Sequence, residues 1–123
     1  MSGPAYDTNN IFARVLRGEV PCNKVYEDDH TLAFEDIHPQ APVHTLVIPK
    51  GAYVSLRDFA AKGTDAELAS FVRAIGKVAA LKEVEDQGFR IIANTGADGG
   101  QEVPHLHVHL FGGRRLGRML ARN

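Results

Sequence analysis

The chain has 123 residues, with 14 basic against 15 acidic side chains, 44% hydrophobic and 24% charged residues, a balance that fits one soluble globular domain over residues 1–123. No apolar run approaches the ~20 residues of a membrane span, Met1 to Asn10 offers no signal-peptide core, and a formal charge of −1 argues against nucleic acid as the main partner. One cysteine, Cys22, can make no internal disulfide and anchor no thiolate zinc site, so a plain buried thiol is expected in a small cytoplasmic protein.

In chain order, the first expected element is a short helix. Thr8, Asn9 and Asn10 offer capping oxygens, Ile11, Phe12, Val15 and Leu16 form an apolar stripe, and Gly18 fits the stop. Pro21 forces an extended or turning connection. Residues 24–27 and 31–35 read as a hairpin around Asp28, Asp29 and His30, and residues 45–48, closed by Pro49, as a third strand. A long helix is expected over residues 65–83. Thr64 and Glu67 have capping-box spacing, and Leu68, Phe71, Val72, Ile75, Val78 and Leu81 line one face. Residues 89–93 and 105–111 complete five strands, the last entered through the glycine-rich Gly96 to Gly100. This order implies an α+β fold with a mainly antiparallel sheet, its core running from about residue 8 to residue 115 and a basic tail from 114 to 123.

The chemistry concentrates in His105-Leu106-His107-Val108-His109-Leu110-Phe111-Gly112-Gly113. On a strand, alternate side chains share a face, so three imidazoles line one side while Leu106, Val108 and Leu110 enter the core. With 6 histidines in 123 positions, this spacing arises by chance in about 1% of such chains. Two uses compete. Metal binding is one, although same-face neighbours ~6.6 Å apart leave the outer pair ~13 Å apart, too far for one zinc with ligands at ~2.0–2.1 Å; two of the three with His44 from another strand would suit. Covalent catalysis at phosphorus is the other, because an unprotonated imidazole is a nucleophile near neutrality and its neighbours can fix its tautomer and handle protons. The preceding Asn94-Thr95-Gly96-Ala97-Asp98-Gly99-Gly100-Gln101 supplies backbone N–H groups that can approach phosphate oxygens.

Together with Ile11-Phe12, Glu19-Val20-Pro21, Val25 to Asp29, Leu32 to Ile37, Pro39 to Pro42, His44 to Lys50 and Gly112-Gly113-Arg114, these motifs resemble the histidine triad (HIT) superfamily over nearly the whole chain. The branch they resemble is Hint, the histidine triad nucleotide-binding proteins that act as purine nucleoside phosphoramidases. The resemblance implies an α+β fold, a homodimer with joined sheets, and a bound purine nucleotide. It also implies hydrolysis of nucleoside 5′-phosphoramidates to a nucleoside monophosphate and an amine, with no metal or other cofactor. Carried over, His107 is the nucleophile that becomes nucleotidylated, His105 and His109 orient it and handle protons, and His44 supports the row. Asp36 matches the acceptor of the ribose hydroxyls. Asn94, Gly100, Gln101, Glu102 and Val103 match phosphate-contacting positions, and Ile11, Phe12, Val15, Phe34, Ile37 and Leu46 match the purine pocket.

Three features depart from familiar relatives. Glu102 stands where they carry serine beside the leaving amine, Pro104 precedes the triad, and the tail from Arg114 to Arg122 lacks a Trp-Pro-Pro-Gly ending. Within the superfamily His109 argues against a nucleotidyltransferase, which carries glutamine there. The alternatives are a dinucleoside polyphosphate hydrolase and a non-catalytic purine-nucleotide-binding module.

Overall fold

The computed structural model describes residues 5–120; of the basic tail, Arg122 lies outside the described residues. The elements are α1 (Ile11–Leu16), β1 (Lys24–Glu27), β2 (Thr31–Glu35), β3 (Val43–Pro49), α2 (Leu56–Lys62), α3 (Asp65–Leu81), β4 (Arg90–Ala93) and β5 (Val108–Gly112). The strands form one sheet in the order β1-β2-β3-β5-β4, every neighbouring pair antiparallel. The α+β architecture expected from the sequence is therefore the one observed. Among the described residues no helix is long and apolar enough to cross a membrane.

Each face of the sheet has its own apolar layer. Ala33, Val47, Val108 and Leu110 point to the side covered by α2 and α3, where they pack with Phe59, Phe71, Ala74 and Val78. Leu32, Phe34, Leu46 and Ile48 point to the other side and meet Phe12 and Val15 of α1. The period of two along each strand produces this division. Because α1 is only six residues long, it leaves much of its face uncovered, and that face carries the histidines.

The hairpin strands β1 and β2 match their expected bounds. β3 starts two residues before its expected bound and includes Pro49, and β4 starts one residue after its own; three other elements differ more, each for a local reason. β5 begins at Val108 rather than residue 105, because the β3–β5 ladder ends at Val47↔Val108. Beyond that point Pro49 has no N–H to give, and its carbonyl is taken by the His105 ring. Helix α3 ends at Leu81 with Lys82 as its cap, and Glu83 turns into the left-handed region at φ 58°. Of its expected apolar face, Phe71 and Val78 are buried and Leu68 and Ile75 partly so, whereas Val72, 69% exposed, and Leu81 face away. Helix α2 had no counterpart in the apolar periodicity, yet Ser55 and Asp58 form a capping box at its start. Cys22 is exposed rather than buried; partial desolvation, with Glu27 adding to it, raises its thiol above the ordinary range.

Candidate active site

Leu106, Val108 and Leu110 anchor the segment 105–111 in the core beneath α3, which sends His105, His107, His109 and Phe111 to the face carrying α1. The Leu106 N–H, bonded to the Tyr53 carbonyl at 2.9 Å, holds the stretch before β5 in place although it is not in the ladder. The expected shared face is thus present, two of its three histidines lying ahead of the strand. Phe12 of α1 packs edge-on against His107 with ring centroids 4.9 Å apart. His107 and His109 follow at 5.0 Å, and the Phe111 ring lies parallel to His109 at 5.7 Å.

Hydrogen bonds fix the tautomer of every imidazole in the row, because a carbonyl only accepts and a backbone N–H only donates. His107 Nδ1 lies 2.8 Å from the His105 carbonyl, so Nδ1 carries the proton and Nε2 keeps a bare lone pair. His105 Nε2 lies 2.8 Å from the Pro49 carbonyl and donates to it. The Gln40 backbone N–H donates to His44 Nδ1 at 3.1 Å, so the proton of His44 is on Nε2. That Nε2–H reaches His109 Nδ1 at 2.9 Å, which leaves His109 with its own proton on Nε2. The row therefore presents a nucleophilic nitrogen at position 107 beside an N–H donor at position 109.

Burial keeps these groups neutral. His105 and His109 are both held down to about 4 with desolvation as the first cause, seconded in His109 by the like charges of His107 and His44. Burial also lowers His107, against the opposing pull of its bond to the His105 carbonyl and of the Asp36 and Glu102 charges. His44 is lowered by burial as well, with Asp36 and Glu35 opposing.

Asp36, His44 and His109 bring one potential ligand atom each within 4.8 Å of one another, so their fit to a cation can be tested. A metal needs a lone pair on His44 Nε2, which moves the proton to Nδ1, where it collides with the Gln40 N–H. As arranged, the set fits a relay of neutral imidazoles and not a divalent ion.

The remaining expected site residues divide by position. Phe12, Val15, Phe34 and Leu46 lie in one buried cluster on the histidine face, while Ile11 is 41% and Ile37 80% exposed. Asp36 lies at the same end, with Oδ2 3.4 Å from His44 Nε2 and Oδ1 accepting from the His38 N–H. Asn94 is half-buried at the start of the glycine loop, and Gly100, at φ 76°, permits the turn that closes it. The Gln101 side chain does internal work: its amide donates to the carbonyls of Val54 and Val103 and accepts from the Gly96 N–H. Among the described residues, the N–H groups of Glu102 and Val103 have no protein acceptor, which leaves them available to a ligand. Glu102 is exposed, and its charge acts on His107. Sequence reasoning missed the Gln40 N–H, Tyr6 and Phe111. Only Phe111 left a signal, as the next step in the period of two after His109. The tail curls back to β4, where Arg90 donates to the carbonyls of Gly117 and Arg118, and Arg114 donates to the Gln40 carbonyl.

An open antiparallel sheet carrying a row of neutral, tautomer-locked histidines beside a glycine loop defines a histidine-triad site. The chain belongs to the HIT domain family, whose model matches residues 17–116. It is 59% identical to an HIT-like protein of Azospirillum brasilense over 95% of this chain and 96% of that one. It is 44% identical to the purine nucleoside phosphoramidase of Escherichia coli K12, over 90% of this chain and 92% of the relative. A histidine triad protein from Clostridium difficile superposes with a TM-score of 0.81 at 44% identity, covering 93% of this chain and 98% of that structure.

The buried imidazoles carry a stability consequence. When unfolded, His105 and His109 bind protons near pH ~6.5, whereas folded they are held to about 4. The unfolded chain therefore takes up protons first as pH falls. Their contribution is complete above ~6.5 and is lost down through about 4. We expect unfolding free energy from urea titration to drop by roughly 2 kcal/mol or more between pH 7 and pH 4.5. A value that stays constant over that range contradicts the neutral-row description.

Proposed function

We propose that this chain hydrolyses purine nucleoside 5′-phosphoramidates through a nucleotidyl-histidine intermediate. The observation that carries the reading is the bare Nε2 of His107, held by its Nδ1–H bond to the His105 carbonyl, beside the donor Nε2–H of His109. The likeness to the Escherichia coli phosphoramidase supports the substrate class.

In the first step, the lone pair of His107 Nε2 forms a bond to phosphorus. The P–N bond to the substrate amine breaks, and the departing nitrogen takes up one proton from solvent. In the second step, water attacks phosphorus and gives up one proton to solvent, the bond to Nε2 breaks, and a nucleoside monophosphate leaves with His107 neutral again. The net reaction is addition of water across P–N. The intermediate imidazole is cationic, because both its nitrogens are substituted. The features that favour a cation on His107, namely the His105 carbonyl and the Asp36 and Glu102 charges, therefore stabilise the intermediate too. His109 Nε2–H and the N–H groups of Glu102 and Val103 serve the non-bridging phosphate oxygens. Asp36 accepts from the ribose hydroxyls, and the base lies against Ile11 and Ile37 over the floor made by Phe12, Val15, Phe34 and Leu46.

The active form in this reading is a homodimer paired through β4. That strand is an edge of the sheet and exposes Ile91, with Phe89 beside it, an uncovered apolar edge of the kind proteins pair or protect.

Two experiments test these statements. With adenosine 5′-phosphoramidate, turnover is expected in excess chelator, and its acid limb is expected below pH 6.5 because burial lowers His107. His107→Ala should reduce kcat/KM by roughly a thousandfold or more while AMP affinity stays within about tenfold. Turnover that survives in this variant, or that chelator removes and zinc restores, contradicts the mechanism. For the assembly, sedimentation should give a dimer for the wild-type chain and a monomer for Ile91→Lys; a monomeric wild type contradicts the proposed pairing.

A further inference from the structure

Residues ahead of α1 fold back on themselves: the Asn10 backbone N–H and its side-chain amide both donate to the Asp7 carbonyl, and the Asn9 N–H donates to the Asp7 carboxylate. This turn delivers Tyr6 to the end of the histidine row. Its hydroxyl lies 2.6 Å from His105 Nδ1, and its ring stands edge-on to the imidazole with centroids 5.6 Å apart. We infer that Tyr6 is a positioning residue of this site, whose phenol holds His105 so that the His105 carbonyl stays aimed at His107 Nδ1–H.

The inference follows from complete burial. His105 has 0% of its surface exposed, so both ring nitrogens must find partners within the protein. The single N–H of the neutral ring is on Nε2 and is spent on the Pro49 carbonyl. Nδ1 is then a buried acceptor, and among the described residues Tyr6 Oη is its partner. Without that donor the ring gains by turning or by admitting water, and either response displaces the main chain that carries the carbonyl facing His107.

Tyr6 also stands between His105 and open space. It lines a cavity of about 460 Å³ whose other walls include Tyr53, Ser55, Ala61, Gly96 and Gln101. The phenol ring thus separates a solvent-accessible cavity from a fully buried imidazole. Around His105 the facing groups are Tyr6 from the N-terminal arm, the Phe12 ring from α1, the Pro49 carbonyl at the end of β3, His107 along the chain and, acting through its charge, Asp58 of α2. Burial is the first cause of the neutrality of His105. Water admitted from the cavity therefore raises its proton affinity and places a positive charge next to the nucleophile.

The kinetic part of this inference rests on the phosphoramidase reading; the structural part does not. Tyr6→Phe keeps the ring and removes the donor, Tyr6→Ala removes both, and Tyr26→Phe, which loses a phenol bonded to Asp28 on the hairpin, is the control. For Tyr6→Phe we expect kcat to fall about tenfold with KM within about twofold, and the ring 15N signal of His105 Nδ1 to move to that of an unbonded nitrogen. For Tyr6→Ala we expect, in addition, the ring 15N signals of His105 to titrate at higher pH than in the wild-type chain. Tyr26→Phe should retain wild-type kcat. An unmoved Nδ1 signal in Tyr6→Phe overturns the inference, as does unchanged kcat or a loss equal to that of Tyr26→Phe. A His105 titration that stays in place in Tyr6→Ala overturns the water-excluding role. If the wild-type chain turns over no phosphoramidate, the functional reading fails, and the Nδ1 signal alone then decides the role of Tyr6.

Discussion

A carbonyl oxygen can only accept, and the one on His105 lies 2.8 Å from Nδ1 of His107. The proton of that ring is therefore on Nδ1, the nitrogen facing the main chain, and the lone pair is on Nε2. The same logic runs along the row. A backbone N–H at Gln40 sets the tautomer of His44, and His44 sets that of His109. Three main-chain groups, the carbonyls of His105 and Pro49 and the N–H of Gln40, thereby specify the protonation pattern of four side chains. Buried imidazoles in such proximity repel one another as cations, and burial, leading the causes in each, holds all four neutral.

The fold serves this arrangement by separating anchoring from chemistry. Leu106, Val108 and Leu110 hold the segment in the core under α3, while the opposite side chains meet the short α1, the arm before it and His44 and Pro49 of β3. Pro49 contributes twice. It ends the β3–β5 ladder by lacking an N–H, and its unpaired carbonyl becomes the partner of His105. Gln101 plays a comparable part in the glycine loop, stapling it to the main chain of Val54.

Much of this was legible in the sequence, and the remainder was hidden for definite reasons. The alternation of histidine and aliphatic residues disclosed the two-faced segment because side-chain period is a local property. The hairpin at residues 24–35 was legible for the same reason, its turn residues lying between two short β-prone runs. The start of β5 was not, since it depends on Pro49 more than fifty residues away. Val72 fitted an apolar helix pattern yet faces outward, because periodicity marks a stripe without saying how much of it the sheet covers. Helix α2 was overlooked because its seven residues bury only Phe59, although its capping box at Ser55 and Asp58 was readable. Gln101 stood in a phosphate-binding motif, and only its three hydrogen bonds disclose that its amide shapes the loop. Tyr6 and the Gln40 N–H carried no signal at all, because the contacts that matter are made across the fold.

The most direct test of the account is histidine-ring 15N spectroscopy of the wild-type chain at pH 7. The account predicts that His107 carries its proton on Nδ1 and leaves Nε2 bare, with His44, His105 and His109 neutral and protonated on Nε2. A cationic His107, or one with its proton on Nε2, contradicts it.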